Sequence, residues 1–191
     1  MPESTPQFTK AVKRASAADV TALLGAFCFF LSALEYMVPK PLPFMRLGIA
    51  NLPILLATDL LPLPWFLALA LVKVVGMSVI SGSLFSYIAV FSLAGTLTAA
   101  LTMRGGRKLF GRHISAVGIS ILGAMVSNAV QIVIASVLVF GEAARLIAPP
   151  FLIMGLVTGT LLGLFAEAFA KKSLWCASAK ALLGKTGKVH A

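Results

Sequence analysis

The chain has few charged residues and few of the residue types that build disulfides and metal sites. Only 12% of its 191 residues are charged, with six Asp and Glu, two Cys and two His. A soluble domain of this size carries many more charged side chains on its surface. Cys28 lies in the first apolar run and Cys176 in a basic tail. A membrane-spanning arrangement keeps these two residues apart, so neither a disulfide nor a zinc site is predicted.

The sequence also lacks the short motifs that carry common enzymatic chemistry. It has no Gly-rich phosphate loop, nucleophile elbow, Cys/His metal spacing or Asp-rich diphosphate motif. Asp59 and Glu167 lie near the predicted cytosolic interface and His113 lies in a basic loop, so we assign them no chemistry. We therefore expect no enzymatic activity, no cofactor and no metal.

Apolar residues dominate what is present. The chain is 59% hydrophobic and its mean hydropathy is +0.99. Because a membrane-spanning helix needs about 20 mostly apolar residues, the sequence predicts an integral membrane, all-α bundle of six helices. The predicted helices are residues 18–38, 47–61, 64–80, 84–103, 114–140 and 147–170. Residues 1–17 are predicted to form a flexible basic tail, and residues 171–191 a second basic tail that is either an amphipathic surface helix or disordered.

The formal net charge of +10 would indicate nucleic-acid binding in a soluble protein. Here the cations flank apolar runs, where attraction to anionic lipid explains them, so nucleic acid is not predicted as a partner. Both tails and the loop at 104–113 hold most of the Lys and Arg residues, against Lys40, Arg46 and Arg145 on the opposite side. Cytoplasmic segments of membrane proteins are enriched in cations. We therefore place both termini in the cytoplasm of a multi-pass protein of the cytoplasmic membrane.

A proline-rich stretch at 39–46 links the first two helices. Three prolines in five residues exclude a helix, so we predict an external loop that forms a lid over a binding site and leads Arg46 and Asn51 onto the next helix. The apolar segment at 47–61 is short and contains Pro53. Such a segment is tolerated only where protein or a water-filled cavity lies beside it.

Two charged residues lie inside predicted helices. Glu35 is near the outer end of the first helix and Lys73 is well within the third. An unpaired charge at the centre of a membrane costs about 2.5–3.5 kcal/mol on insertion scales, so Lys73 needs a partner. Pairing with Glu35, snorkelling to the interface, and neutralising an anionic ligand all remain open.

Two amides lie on one face of the fifth helix. Asn128 and Gln131 are three residues apart, and Ser127 extends the same polar patch. Amides in the membrane interior require hydrogen-bond partners, which another helix or a ligand can supply. Both interpretations stay open.

Small residues form a stripe on the first helix. Ala18, Ala22 and Ala26 recur at every fourth position. This spacing gives a flat surface on which another helix can pack closely, either within this chain or in a partner subunit.

Several short motifs follow one another along the middle of the chain. They are Arg46-Leu-Gly-Ile-Ala-Asn-Leu52, Ser81-Gly-Ser-Leu-Phe85, Phe91-Ser-Leu-Ala-Gly95 and Val117-Gly-Ile-Ser-Ile-Leu-Gly123, with Asn128 and Gln131 after them. In order and spacing, residues 22–165 resemble the Gx transporter family, whose members are also labelled heptaprenyl diphosphate synthase component I. Arg46 stands where that family usually has Lys, Lys73 where it has Arg, and Ser127 where His is common.

This family is similar to the substrate-binding S components of energy-coupling factor vitamin importers. The resemblance implies six helices, cytosolic ends, an outward-facing pocket under the first loop, and an alanine stripe that packs on a coupling subunit. We therefore expect a transporter subunit of the bacterial cytoplasmic (inner) membrane that captures a small polar or anionic metabolite. Its energy would come from a coupling subunit with ATPases or from an ion gradient. The candidate ligand-binding residues are Glu35, Arg46, Asn51, Lys73, Ser83, Asn128 and Gln131.

Two other functions remain open. The family's second label favours a noncatalytic membrane subunit that supports prenyl diphosphate or quinone synthesis. A scaffold subunit of a larger membrane complex would also use an alanine stripe and polar helix pairs.

Overall fold

A computed structural model of the protein describes residues 6–38 and 48–184. Within these residues the chain is all helical and contains no strand, which confirms the all-α prediction. The α-helices are α1 (Pro6–Met37), α2 (Leu52–Ala57), α3 (Leu63–Ile80), α4 (Tyr87–Phe110), α5 (Ala116–Ala135), α6 (Ala144–Lys172) and α7 (Leu174–Gly184). The proline-rich loop predicted at 39–46 lies outside the described residues.

Four stretches of the described chain are long and apolar enough to cross a membrane. They are Ala17–Met37, Leu63–Ile80, Tyr87–Phe110 and Ala116–Lys172. The last has 57 residues and contains two separate helices, α5 and α6. The chain is therefore a membrane protein by the length and composition of its helices. The count of six spans and the cytoplasmic placement of the termini stay predictions.

Helix α2 is much shorter than the predicted segment 47–61. A turn of 3₁₀-helix, Ile49–Asn51, precedes it, and α2 itself has only six residues, all of them buried. Pro53 lies in the first turn of α2, where its missing N–H leaves no helical hydrogen bond unmade. This segment is therefore a buried half-helix and not a full span.

The carbonyl groups at the end of α2 are capped by an arginine from α4. Arg104 Nη1 donates to the Thr58 oxygen at 2.6 Å and to the Leu61 oxygen at 2.8 Å, and its guanidinium lies 5.5 Å from the Phe66 ring centre. The last carbonyls of a helix have no intrahelical donor, and cations near them are stabilising. Arg104 thus joins α4 to the turn between α2 and α3.

Both predicted tails contain helix. Helix α1 begins at Pro6, so residues 6–17, predicted to form a flexible tail, are helical. Helix α7 packs on the bundle, with Cys176 and Ala179 buried and Trp175 against the core. Of the two forms predicted for the second tail, residues 174–184 adopt the helix.

Helices α5 and α6 pack closely through glycines of α6. A π-helical turn, Ser136–Phe140, and a 3₁₀ turn, Gly141–Ala143, join the two helices. Gly155, Gly159 and Gly163 are all buried at four-residue spacing. A Cβ atom at Gly163 would lie 2.4 Å from the Val117 Cα atom, so the two backbones meet there, as small-residue stripes permit in membranes.

Two apolar clusters enclose a polar layer within the bundle. The larger cluster contains Ala99 and Met103 of α4 and Ile119 of α5, and the smaller one contains Phe91 of α4 and Ala135 of α5. Between these clusters both helices carry buried polar residues, among them Ser92, Thr96, Ser127, Asn128 and Gln131. The candidate site lies in this layer.

Candidate functional site

Side chains from most of the bundle meet at one polar cavity of about 30 Å³. Its lining comes from α1, the 3₁₀ turn, α3, α4, α5 and α6. The polar lining residues are Glu35, Asn51, Lys73, Ser92, Thr96, Ser127, Asn128, Gln131 and Thr158. A cavity of this volume holds one or two water molecules. In this conformation the site is closed around its polar groups.

Glu35 of α1 binds the backbone at the start of the 3₁₀ turn. Its carboxylate accepts hydrogen bonds from the Gly48 N–H at 3.3 Å and the Ala50 N–H at 3.2 Å, and only 2% of Glu35 is exposed. Gly48 has φ of 79°, in the left-handed region that glycine adopts without strain. The tight turn at Gly48 thus directs two backbone donors at one buried carboxylate.

Lys73 binds Asn51 at the other end of the same turn. Its Nζ atom donates to Asn51 Oδ1 at 2.7 Å and to Thr96 Oγ1 at 2.9 Å. The residue is 4% exposed, so this ammonium does not snorkel to the interface. Hydrogen bonds to a charged donor are about twice as strong as neutral ones. Lys73 therefore links α3, α4 and the 3₁₀ turn at the cavity.

The amides of α5 are hydrogen-bonded and also line the cavity. Asn128 Nδ2 donates to the Phe151 oxygen of α6 at 2.9 Å. Gln131 Nε2 donates within α5 to Ser127 Oγ at 3.0 Å, and Ser127 Oγ donates to the Gly95 oxygen of α4 at 2.8 Å. The bonds of Asn128 and Ser127 are interhelical contacts of the kind that the sequence left open as one interpretation, and they coexist with a position on the cavity wall.

Two buried polar atoms on the cavity-lining residues have no hydrogen-bond partner among the described residues. They are Gln131 Oε1 and Ser92 Oγ. Orphaned buried polar groups cost about 1–3 kcal/mol each, and in a native structure they indicate a missing water or ligand. A bound water or a solute would satisfy both atoms.

Five of the predicted ligand-binding residues come together at the cavity. Glu35, Asn51, Lys73, Asn128 and Gln131 all line it. Ser83 does not: it lies in the turn between α3 and α4, where its Oγ atom is 2.6 Å from Ser81 Oγ. Arg46 lies outside the described residues.

The alanine stripe faces outward on α1. Ala22 and Ala26 are exposed and Ala18 is half-buried. In the described residues, therefore, the whole stripe is not packed inside this chain, which was one of the two alternatives that the sequence left open.

Sequence reasoning missed several parts of the site. Thr96 and Ser92 lie one turn apart on α4 among many small residues, where no pattern distinguishes an inward hydroxyl from one that bonds its own helix, as Thr98 does to the Ala94 oxygen. Gly48 and Ala50 donate through their backbone N–H groups, so their residue types do not reveal these hydrogen bonds. The left-handed glycine before a short helix was the one available signal.

The acidic residues to which the sequence assigned no chemistry form ion pairs elsewhere. Asp59 forms an ion pair with Arg107, with 2.8 Å between Nε and the carboxylate, and accepts a hydrogen bond from Nη2 at 3.0 Å. Glu167 pairs with Lys171 at 2.7 Å on α6. Neither carboxylate lines the polar cavity.

Comparison with known proteins identifies one relationship. A family model described as "Heptaprenyl diphosphate synthase component I" matches residues 24–169, well over half of the chain. The family that the motifs predict is thereby confirmed under its second label. No curated protein and no solved structure matches, and the similarity to energy-coupling factor S components stays a prediction.

Proposed function

The chain belongs to the heptaprenyl diphosphate synthase component I family, and from that premise we propose that it is the solute-capturing subunit of a membrane transporter. The proposed solute is a small polar or anionic metabolite taken up from the outside. Its binding site is the polar cavity, and the proposed role is noncatalytic.

The observation that carries this proposal is the composition of the cavity. A buried ammonium, a buried carboxylate, amides and hydroxyls from separate helices converge on one space. Polar and ionisable groups within a membrane bundle are expensive and mark solute pathways. Gln131 Oε1 and Ser92 Oγ on this lining lack a partner among the described residues, and a solute with a donor and an acceptor would satisfy them.

Solute entry requires the cavity to widen, because about 30 Å³ admits no metabolite. The 3₁₀ turn Ile49–Asn51 is the element best suited to move. It is three residues long, and the bonds from Glu35 and Lys73 hold it at both ends. A polar solute can exchange with these contacts, so opening does not expose charge without compensation.

Coupling to a partner is proposed at the outer face of α1. Ala22 and Ala26 are exposed beside an apolar groove of about 420 Å³. The groove is lined by Leu23, Leu24, Ala26, Phe27, Leu56, Phe169 and Trp175. Small residues next to an apolar groove permit close approach of a transmembrane helix. An energy-coupling membrane subunit, itself driven by ATPases, is the proposed occupant.

The proposal is tested by binding and uptake. Purified protein should be stabilised thermally by at least one member of a panel of vitamins, flavins, nucleobases and prenyl diphosphates. Lys73→Met should abolish that stabilisation and the corresponding uptake in cells, because it removes the buried ammonium at the cavity. Lys172→Met, at an exposed position near the end of α6, serves as the matched control. No stabilisation by any panel member, with unchanged uptake in Lys73→Met, would refute the proposal.

The family's description favours a second function, that of a noncatalytic membrane subunit supporting prenyl diphosphate or quinone synthesis. The two functions predict different partners. Copurification with a coupling subunit and ATPases supports the transporter, whereas copurification with a soluble prenyltransferase supports the second function. A scaffold subunit would copurify with a membrane complex and bind no solute.

A further inference from the structure

The side-chain amide of Gln131 has one orientation that the network permits. The single hydroxyl proton of Ser127 is donated to the Gly95 oxygen at 2.8 Å. Towards Gln131, Ser127 Oγ can then only accept, and it does so from Nε2 at 3.0 Å. Gln131 Nε2 also lies against Gly95, where a Cβ atom would be 2.3 Å away. The amide oxygen is therefore left on the other side of the group.

This oxygen is a buried acceptor that awaits a donor. Gln131 is 4% exposed, lines the polar cavity, and finds no donor for Oε1 among the described residues. Ser92, 1% exposed on the facing helix α4, lines the same cavity with an equally unpartnered hydroxyl. An occupant that donates to Gln131 and accepts from Ser92 would satisfy both groups.

The unpartnered oxygen of Gln131 restricts the occupant further. Lys73 already donates to Asn51 and Thr96. A diphosphate or carboxylate group offers acceptors only and would place lone pairs against Gln131 Oε1. The lining at Gln131 thus favours a group that carries its own N–H donor.

From these contacts we infer that the solute inserts an edge with an N–H donor beside a carbonyl acceptor, as cyclic amides and cyclic ureas present. The N–H binds Gln131 Oε1 and the carbonyl accepts from the Ser92 hydroxyl. Both residues line the same cavity, whose volume of about 30 Å³ fits the tip of such an edge. This inference rests on the proposed function and narrows its solute class.

The test compares matched probes on the full-length protein in lipid nanodiscs. The N–H probes are uracil and 2-imidazolidinone, their N,N′-dimethyl derivatives remove the donors, and inorganic pyrophosphate is the acceptor-only anion. We expect calorimetry to show binding of at least one N–H probe, weakened at least about tenfold by dimethylation, and no binding of pyrophosphate. Gln131→Leu should weaken the N–H probe by a similar factor. Thr160→Val is the control, because that hydroxyl bonds Leu156 of its own helix and does not line the cavity.

The outcomes separate this inference from the proposed function. Equal affinity for N–H and dimethyl probes would show that water satisfies Gln131 Oε1, and the inference would be wrong. Binding confined to pyrophosphate, or to members of the wider solute panel that lack an N–H beside a carbonyl, would overturn the inference and keep solute capture. Failure of every probe and every panel member would overturn both. Because dimethylation is tested on the native protein, misfolding of Gln131→Leu does not weaken the test.

Discussion

At the scale of single residues, two buried charged side chains of the site accept from or donate to uncharged groups. Glu35 accepts from two backbone N–H groups, and Lys73 donates to an amide and a hydroxyl. Each charge is thereby stabilised by several dipoles, which is how ionised groups are accommodated away from water. The same dipoles can be turned towards a solute when the turn at 49–51 moves.

Removing the charge of Glu35 should loosen this turn. Glu35→Gln keeps the shape of the side chain but loses the charge on its two hydrogen bonds to Gly48 and Ala50. It also turns one acceptor into a donor that faces an N–H. We expect the free energy of unfolding, measured by denaturant titration in mixed micelles, to fall by about 1–3 kcal/mol.

The control for this prediction is Glu142→Gln. The Glu142 side chain is 83% exposed and pairs with Arg145 on the surface. Exposed pairs of this kind contribute about 0–1 kcal/mol, so the control should remain near the native value. Equal losses of unfolding free energy in the two variants would contradict the role of Glu35 in holding this turn.

The residue types of the site were more predictable than their partners. Glu35, Lys73, Asn128 and Gln131 stand out in sequence because charges and amides are rare in apolar helices. Which groups they bind depends on helix rotation and on backbone donors, neither of which a sequence displays. Hence the pairing of Lys73 with Thr96 was missed, and Ser83 was included although its hydroxyl contacts Ser81 in the turn between α3 and α4.

At the scale of elements, glycines determine how closely the helices around the cavity approach. Gly95 of α4 leaves room for the Gln131 amide, and Gly155 of α6 leaves room for Asn128. A side chain at either position would occupy the space of a polar group. The glycines of α4 and α6 therefore define the cavity wall as much as the polar residues do.

Substituting Gly95 tests this directly. In Gly95→Ala the new Cβ atom would lie 2.3 Å from Gln131 Nε2 and 3.0 Å from Ser127 Oγ, so Gln131 must leave its position. We expect a loss of stability of about 1–3 kcal/mol together with loss of solute binding. Gly105→Ala is the control on the same helix, because nothing lies within 4 Å of its Cβ position. That change should be neutral or stabilising by up to about 1 kcal/mol, and an equal loss in both variants would contradict the prediction.

The contact between α5 and α6 predicts different losses of stability for two glycine substitutions. A Cβ atom at Gly163 would lie 2.4 Å from the Val117 Cα atom, whereas at Gly159 the nearest atoms are the Ala124 Cβ atom at 3.1 Å and the Ile121 Cα atom at 3.2 Å. A separation of 2.4 Å from a backbone atom is too short for any carbon–carbon contact, so Gly163→Ala must separate the helices, whereas a shift of a few tenths of an ångström accommodates Gly159→Ala. We expect it to cost about 1–3 kcal/mol and Gly159→Ala less than about 1 kcal/mol in the same unfolding assay. A larger loss in Gly159→Ala would contradict this account of the contact.

At the scale of the whole molecule, the helical class and the shielded position of the second segment were predictable, but the length of its helix was not. Long apolar runs predict long helices, and α3 and α6 lie largely within the predicted segments. The segment at 47–61 is equally apolar, yet it forms a six-residue helix held by Arg104 and Lys73 from other helices. An apolar segment is expected to be shielded from water, but its sequence does not tell whether protein or lipid shields it.

Membrane orientation is the remaining large-scale prediction, and cation distribution argues for it. Most Lys and Arg residues lie in the two tails and the loop at 104–113, which places that loop in the cytoplasm and the turn between α3 and α4 outside. Phe85 in that turn is fully exposed, and His113 in the loop is also exposed. The two native cysteines are buried, so they should label poorly.

Single-cysteine labelling in intact cells decides the orientation. A membrane-impermeant maleimide should modify Phe85→Cys without permeabilisation and His113→Cys only after it, because α4 separates the two positions by 24 helical residues, enough to cross the membrane. The native protein provides the background. Labelling of both positions from outside would mean that α4 does not cross, and the reverse pattern would place the termini outside. In the reverse case the turn 49–51 would face the cytoplasm, and capture of a solute from outside would no longer be tenable.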